Sequence, residues 1–244
     1  MTIVPKLFID TVAVRIQNIS YIYRSHYRLN RRSLLSICGL SLLWLVILYS
    51  VRQSPREVAN ILIVYGEIIL SPVFGVLCTL YVFGDPCREI LFSTLYRMKY
   101  VILGRYLVLA SGLLLFWMGI ILSGYLLQPE LQLTFSKLLF GGGTAILFFG
   151  SVGLWSSLLL RSFISGGVIV TTLWALSLLF RENLSSHPIT YLVYPFMTLQ
   201  HPDSPDWLTN RILLNFIAFI LLMWSLQLAN NEELLLPNES VYEE

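Results

Sequence analysis

Ionisable side chains are scarce in the long apolar runs of this sequence, so the few that occur there are the first candidates for chemistry. Glu67 is the one acid within such a run, and Ser71 follows it one helical turn later. An ionisable side chain inside a bilayer is costly and usually faces a cavity or a partner. Glu67 and Ser71 are therefore candidates for the polar lining of a substrate path, or Glu67 is a proton site. The alternative is a neutral or hydrogen-bonded structural glutamate, or one close to the outer surface.

The sequence Gly-Ser-Val-Gly at residues 150–153 invites comparison with the nucleophile of an intramembrane serine protease. The glycines are displaced from the usual pattern of those enzymes. No histidine lies within an apolar run to act as the base that a serine nucleophile needs. A hydrolase that uses Ser151 therefore stays an alternative interpretation.

Neither a metal site nor nucleotide hydrolysis is predicted for this chain. It has no Walker A motif and no HExxH pattern of zinc proteases. The histidines are scattered among loops, and the cysteines follow no metal spacing, so we expect the cysteines to act as small packing residues. These residues are His26, His187, His201, Cys38, Cys78 and Cys87.

Six uncharged or nearly uncharged apolar stretches must position these residues. They are 34–51, 58–84, 106–129, 138–160, 162–180 and 212–231. A bilayer core of about 30 Å needs roughly 20 apolar residues in helical form. Long apolar runs in lipid form helices because the backbone N–H and C=O groups must hydrogen-bond to each other within the segment. With 12% charged residues, the chain has about half the charge of a soluble protein. The sequence predicts an all-α membrane protein whose six transmembrane helices form one permease domain over 34–231.

The two ends of the chain differ from this domain. Residues 5–23 have an amphipathic pattern and precede a basic run, so the arm 1–33 is expected to lie on the inner membrane surface. The alternative is that its apolar face packs on the protein's own helices. The tail 232–244 is acidic and is expected to be solvated, although it could also contact a partner.

Most of the 16 lysines and arginines fall on one predicted side of the membrane. They lie before the first span, between spans 2 and 3, and at Arg161 between spans 4 and 5. Basic residues favour the cytoplasmic side, so both termini are predicted to be cytoplasmic. Arg211 is assigned to the opposite, outer loop. Arg161 alone interrupts a very long apolar stretch, and a failure to turn there would give an odd number of spans.

Three features of the spans predict local structure. Pro72, after Ser71, should kink the second span. The fourth span is rich in glycine and serine, which allow membrane helices to approach closely. Residues 181–210 contain four prolines among apolar residues and are expected to form a partly re-entrant outer segment, which needs shelter by protein or water.

The segment between spans 2 and 3 has a charged and aromatic pattern. Asp85 and Pro86 are typical of a helix start, and a short amphipathic helix is predicted over 87–99. Such a helix on the basic side of the membrane is suited to docking a cytoplasmic partner. The alternative is a helix that lies among the lipid headgroups.

Residues 88–105, REILFSTLYRMKYVILGR, resemble the loop between the second and third helices of ABC type-2 exporter permeases. In that family an acid opens a short leucine-rich helix, a Ser-Thr pair follows, and a Leu-Gly-Lys sequence starts the third helix. Leu95 stands where a proline is usual, and the preceding Gly-Thr pair is missing, so the helix is expected to meet its partner at a different angle. The matching residues are Glu89, Ser93, Thr94, Leu103, Gly104 and Arg105.

The resemblance implies a transmembrane subunit of an ATP-driven exporter in the plasma (inner) membrane of a prokaryote. Two permeases, identical or homologous, would pair with two separate ABC ATPase subunits, which would hold ATP and Mg²⁺. This chain would have no cofactor, no catalytic centre and no nucleic-acid partner. The residues implied in ATPase coupling are Asp85, Arg88, Glu89, Phe92, Ser93, Tyr96 and Arg97.

The competing interpretations are a secondary transporter that uses Glu67 and, as above, an intramembrane hydrolase. The cargo of an exporter stays open, although few charges and many aromatic residues favour an amphipathic or hydrophobic substrate.

Overall fold

The structure is a computed structural model, and it describes residues 39, 42–83, 98–131 and 133–230. Contacts divide the chain into two units, Met1–Leu42 and Leu43–Glu244. Only residues 39 and 42 of the first unit are described, so the account below concerns the second. The described residues are helical with short connections and contain no strand, which confirms the predicted all-α class.

The described residues form a series of helices in chain order. They are α1 (43–50), α2 (Pro55–Ile63), a π-helical segment (Val64–Leu70), α3 (Ser71–Phe83), α4 (Met98–Leu127), α5 (Phe135–Leu160), α6 (Phe163–Leu179), α7 (Arg181–Ser186), α8 (Pro188–Leu192), α9 (Met197–Gln200) and α10 (Trp207–Leu228).

Four continuous helical stretches are long and apolar enough to cross a membrane: Pro55–Leu80, Met98–Leu127, Phe135–Leu160 and Trp207–Leu228. The first of them runs through α2 and the π-helical segment into α3. This is compatible with a multi-pass membrane protein. The predicted fifth span corresponds to α6, an apolar helix of 17 residues that is shorter than the other four. Only part of the predicted first span, 34–51, lies within the described residues.

Two long helices begin earlier than their apolar runs predicted. Helix α4 already includes Met98, before the predicted start at Tyr106, and α10 starts at Trp207 rather than at residue 212. In both cases an arginine interrupts the apolar run but is buried by neighbouring helices, at Arg105 and Arg211. Lys99, which was predicted to end the coupling helix, belongs to α4.

Close approach at small residues confirms the predicted packing of α5. A Cβ atom built on Gly153 would lie 2.1 Å from the carbonyl oxygen of Gly75, and one on Gly166 would lie 2.9 Å from the backbone of Ser157. Helix α5 therefore touches α3 and α6 almost backbone to backbone.

The junction of α5 and α6 is a tight turn. Arg161 has a φ of 53°, in the left-handed region that ends helices. The Ser162 hydroxyl then accepts a hydrogen bond from the Ser165 N–H and caps α6. The chain therefore ends one helix and begins the next within two residues, as predicted.

The π-helical segment ends just before Pro72, where a kink was predicted. Proline lacks the N–H that an α-helix would direct to the carbonyl four residues earlier, here that of Ile68. This carbonyl accepts a hydrogen bond of 2.9 Å from Trp174 Nε1. The Ser71 hydroxyl donates to the carbonyl of Glu67. The side chains of Ser71 and Trp174 thus donate hydrogen bonds to backbone carbonyls at the point where π-helical geometry changes to α-helical geometry.

The segment between α6 and α10 contains three short helices and is folded onto the bundle. Tyr194, Phe196 and Met197 are almost fully buried, in a cluster with Phe149 of α5 and Leu214 of α10. The sequence predicted irregular backbone in need of shelter. The structure shows shelter by the protein itself, with much of the backbone helical.

Candidate buried polar site

Glu67 lies in the π-helical segment and forms a buried ion pair. Its Oε1 atom is 2.7 Å from Nη2 of Arg211, and the two side chains are 1% and 0% exposed. The assignment of Arg211 to an outer loop was wrong, because the residue lies in the first turns of α10 with its guanidinium turned into the protein.

The segment that precedes α10 completes the surroundings of the pair. Arg211 Nη1 donates to the carbonyl of Pro195 at 2.9 Å, and Nη2 donates to the Thr198 hydroxyl at 2.9 Å. The second carboxylate oxygen of Glu67 accepts from the backbone N–H of Leu199 at 3.3 Å. A buried charge is tolerated when it is paired and hydrogen-bonded, and both charges here meet that condition.

Asn210, the residue before Arg211, binds the same segment. Its amide nitrogen lies 3.1, 2.9 and 3.0 Å from the carbonyl oxygens of Tyr191, Leu192 and Tyr194. The last carbonyls of a helix lack partners within the helix, and Asn210 supplies a donor at the end of α8. Consecutive side chains of α10 therefore hold residues 191–198 through hydrogen bonds.

Helix α5 leaves room for this cluster at Gly141. A Cβ atom there would lie 2.6 Å from the Thr198 hydroxyl and 3.3 Å from Glu67 Oε1. The Thr198 hydroxyl also accepts a hydrogen bond of 3.0 Å from Trp207 Nε1. Four parts of the chain thus meet at one point: the π-helical segment, α5, α9 and α10.

The neighbouring Tyr194 phenol is neutral at physiological pH. Burial and, to a smaller extent, the charge of Glu67 raise the pKa of Tyr194 to about 12, while Arg181 acts in the opposite direction. No group of histidines, cysteines and acids within the described residues could hold a metal ion. The arrangement is suited to fixing helices and a loop to one another through paired charges.

Ser151, the candidate nucleophile, lies elsewhere in α5. Its hydroxyl is 3.1 Å from that of Tyr106, and the side chain is buried. Tyr106 in turn donates to the carbonyl of Leu147 at 3.3 Å. Ser151 therefore takes part in a hydrogen bond that links α4 and α5, and the partner is a tyrosine rather than a histidine.

The proposed coupling residues lie outside the described residues. They are Asp85, Arg88, Glu89, Phe92, Ser93, Tyr96 and Arg97, and the same holds for the arm 1–33 and the tail 232–244. Of the residues that matched the permease pattern, Leu103, Gly104 and Arg105 are described, and they lie in the first turns of α4.

Sequence reasoning found Glu67 but missed Arg211, Thr198 and Asn210. A usable signal was present, because a lone acid in one apolar run and a lone base beside another are natural partners in lipid.

No protein-family model matches the chain, and searches of curated proteins and solved structures give no match either.

Proposed function

We propose that this chain is the transmembrane permease subunit of an ATP-driven ABC exporter. The observation that carries the proposal is the pattern over residues 88–105, whose last three matching residues lie in an apolar helix long enough to span a membrane. A charged segment that joins two such helices is where a permease of this kind would meet its ATPase.

The layout of the described residues supports the same proposal. The turn at Arg161 and the folded segment before α10 agree with the expected arrangement of such a permease. The buried pair adds a mechanical element, since Glu67 and Arg211 join the second predicted span to the last one. In an exporter these helices would move together when ATP binding closes the ATPase subunits. The chain would supply the pathway and the coupling, and the separate ATPase would supply the chemistry.

Replacing Glu89 and Arg97 together with glutamine tests the coupling role. We expect substrate-dependent ATPase activity of the complex to fall severalfold while membrane insertion is unchanged. Arg181 and Glu182 provide the matched control, because they are also an acid and a base and are exposed, but lie outside the segment. Unchanged activity in the first double variant, or an equal loss in the control, would contradict the proposal.

Purification from the native membrane in mild detergent gives an independent test. We expect a soluble protein with a Walker A motif to be recovered in roughly equal amount and to be lost when residues 86–99 are altered. A second, homologous permease in the complex would indicate a heterodimer. An isolated chain with no ATPase would count against the exporter.

A secondary transporter that uses Glu67 is the second candidate. The observation in its favour is an acid inside a π-helical segment, a distortion that is frequent at functional sites. Its close pairing with Arg211 favours a structural role. Transport that persists after ATP depletion, and that is abolished by Glu67→Gln, would support this candidate over the exporter.

The hydrolase alternative depends on Ser151 alone. Full cellular activity of a Ser151→Ala variant would remove it, because no other serine was implicated.

A further inference from the structure

A second site is suggested by a groove that lies apart from the ion pair. It has a volume of about 830 Å³ and is formed by α4, α5 and α10. Neither Glu67 nor Arg211 lines it. Small-molecule sites commonly have volumes of about 300–1,000 Å³, so the groove is large enough for a ligand.

The groove opens sideways onto a surface that would face lipid. Leu115 of α4 and Leu208 of α10 line it and are 63% and 54% exposed. Met118 and Leu147, which are half-buried, make the deeper wall apolar. A hydrocarbon chain is therefore the part of a ligand that this wall would accept.

The length of the groove corresponds to one leaflet of a bilayer. Its lining on α5 runs from Ser136, next to the start of the helix, to Leu147 near the middle. At 1.5 Å per residue this is roughly 16 Å, and half of a bilayer core is about 15 Å. The groove thus extends from a helix end to mid-membrane depth.

Polar groups lie at the end next to the helix start. Lys137 Nζ donates to the carbonyl of Pro202 at 3.1 Å and to Asp203 Oδ1 at 2.9 Å. An ammonium has three N–H donors, and these two partners occupy two of them. Ser136, the preceding residue, also lines the groove, and its hydroxyl is 3.3 Å from that of Thr134. Trp207, a residue type common at membrane interfaces, lines the same end.

The inner end offers little to a polar ligand. Asn215 donates to the Thr144 hydroxyl at 2.9 Å and to the carbonyl of Arg211 at 3.0 Å. Ser111 donates to the carbonyl of Val108 within its own helix. The Asn215 amide nitrogen and the Ser111 hydroxyl therefore bond within the protein, whereas Lys137, the charged residue among those that line the groove, lies at the other end.

We propose that this groove binds a phospholipid of the surrounding bilayer. One acyl chain lies along α5, and the phosphate of the headgroup accepts hydrogen bonds from Ser136 and Lys137. The lateral opening lets the rest of the lipid stay in the bilayer. This site is independent of the proposed exporter function, because binding requires only this chain and no ATPase.

Photolabelling of the full-length chain in detergent micelles tests the proposal. The probe is a phosphatidylcholine that carries a diazirine on one acyl chain. We expect saturable labelling of Leu115, Met118 and Phe140, and competition by unlabelled phospholipid. Leu115→Trp should lower this labelling about tenfold, since the loss of contact with a few methylene groups is sufficient for that change.

Leu122→Trp is the matched control. Leu122 is on the same helix and 48% exposed but does not line the groove, so its replacement should leave labelling and thermal stability unchanged. Labelling that rises without saturation and is equal at Leu122 and Phe216 would show bulk lipid contact and overturn the proposal. Absence of labelling in the groove would also overturn it. So would competition by a free fatty acid but not by phospholipid, because the site would then belong to another amphiphile.

Discussion

At the scale of single residues, the pair of Glu67 and Arg211 makes the strongest demand on its surroundings. Each charge is removed from water, and each keeps a partner of opposite sign and further hydrogen bonds. Such a pair adds little net stability compared with apolar residues, but removal of one partner leaves the other charge buried alone. The main effect of the pair is therefore to fix the π-helical segment, α10 and the segment before α10 in one arrangement.

We expect Arg211→Met to destabilise the protein by about 3–5 kcal/mol, because the Glu67 carboxylate would stay buried without its cation. Glu67→Gln should also destabilise it, and the double variant should recover much of the loss. Thermal unfolding of the four proteins in the same detergent measures the coupling as a double-mutant cycle.

The exposed Arg181 supplies the control for this cycle. Its Nη2 atom lies 3.9 Å from Oε1 of Glu182, and its side chain is 59% exposed. Arg181→Met should therefore change the free energy of unfolding by under about 1 kcal/mol. If Arg211→Met behaved like Arg181→Met, or if the losses of the two single variants simply added, the pair would not be coupled as the structure indicates.

The residue scale also shows what sequence can provide. Glu67 stands out because acids in apolar runs are rare, and this needs no structure to see. Its partner lies 144 residues away, and Arg211 fell just outside a predicted span, where a cation usually needs no explanation. Thr198 and Asn210 carry no sequence signal, because their roles depend on how residues 191–199 fold back.

At the scale of helices, the change from π to α geometry at Ser71 is held by side chains from elsewhere. Pro72 cannot donate to the Ile68 carbonyl, and Trp174 of α6 does so across the interface. An unpaired carbonyl in a protein interior costs about 1–3 kcal/mol. The indole of Trp174 is thus both a packing group and a replacement for a missing backbone donor.

Trp174→Phe should therefore destabilise the protein by about 1–3 kcal/mol. Pro72→Ala introduces an N–H four residues after Ile68, which is the α-helical donor position. The double variant should recover part of the loss of Trp174→Phe, as measured by thermal unfolding. Trp224→Phe is the control, because Trp224 is 47% exposed. Equal effects of the two tryptophan variants would show that the hydrogen bond to Ile68 contributes little.

Sequence predicted the helices better than their ends. Apolar runs located α5 and the turn after it, since length, glycine content and Arg161 all point the same way. The starts of α4 and α10 were misplaced because a run of hydropathy stops at an arginine, whereas a helix continues if neighbours bury that arginine. A kink was predicted at Pro72, but the π-helical segment that precedes it was not.

At the scale of the whole molecule, the number of helices that cross the membrane determines which side each loop faces. Sequence predicted six spans, and four of the described helices meet the requirement by length and composition. Of the other two predicted spans, 34–51 is described only in part, whereas α6 is described throughout. Its 17 residues extend roughly 26 Å, a little less than the bilayer core of about 30 Å. A mismatch of this size costs little, because the bilayer can thin locally.

We therefore expect α6 to cross, which places Arg161 and Glu182 on opposite sides. Single cysteines at positions 130, 160 and 182, in a variant whose native cysteines are replaced by alanine, test this with a membrane-impermeant maleimide on intact cells. Cysteines in place of Glu130 and Glu182 should react from outside, and one in place of Leu160 only after permeabilisation. If position 182 reacted like position 160, α6 would return to the side it came from. The distribution of basic residues would then fail to predict the orientation of α10, and the six-span arrangement would be wrong.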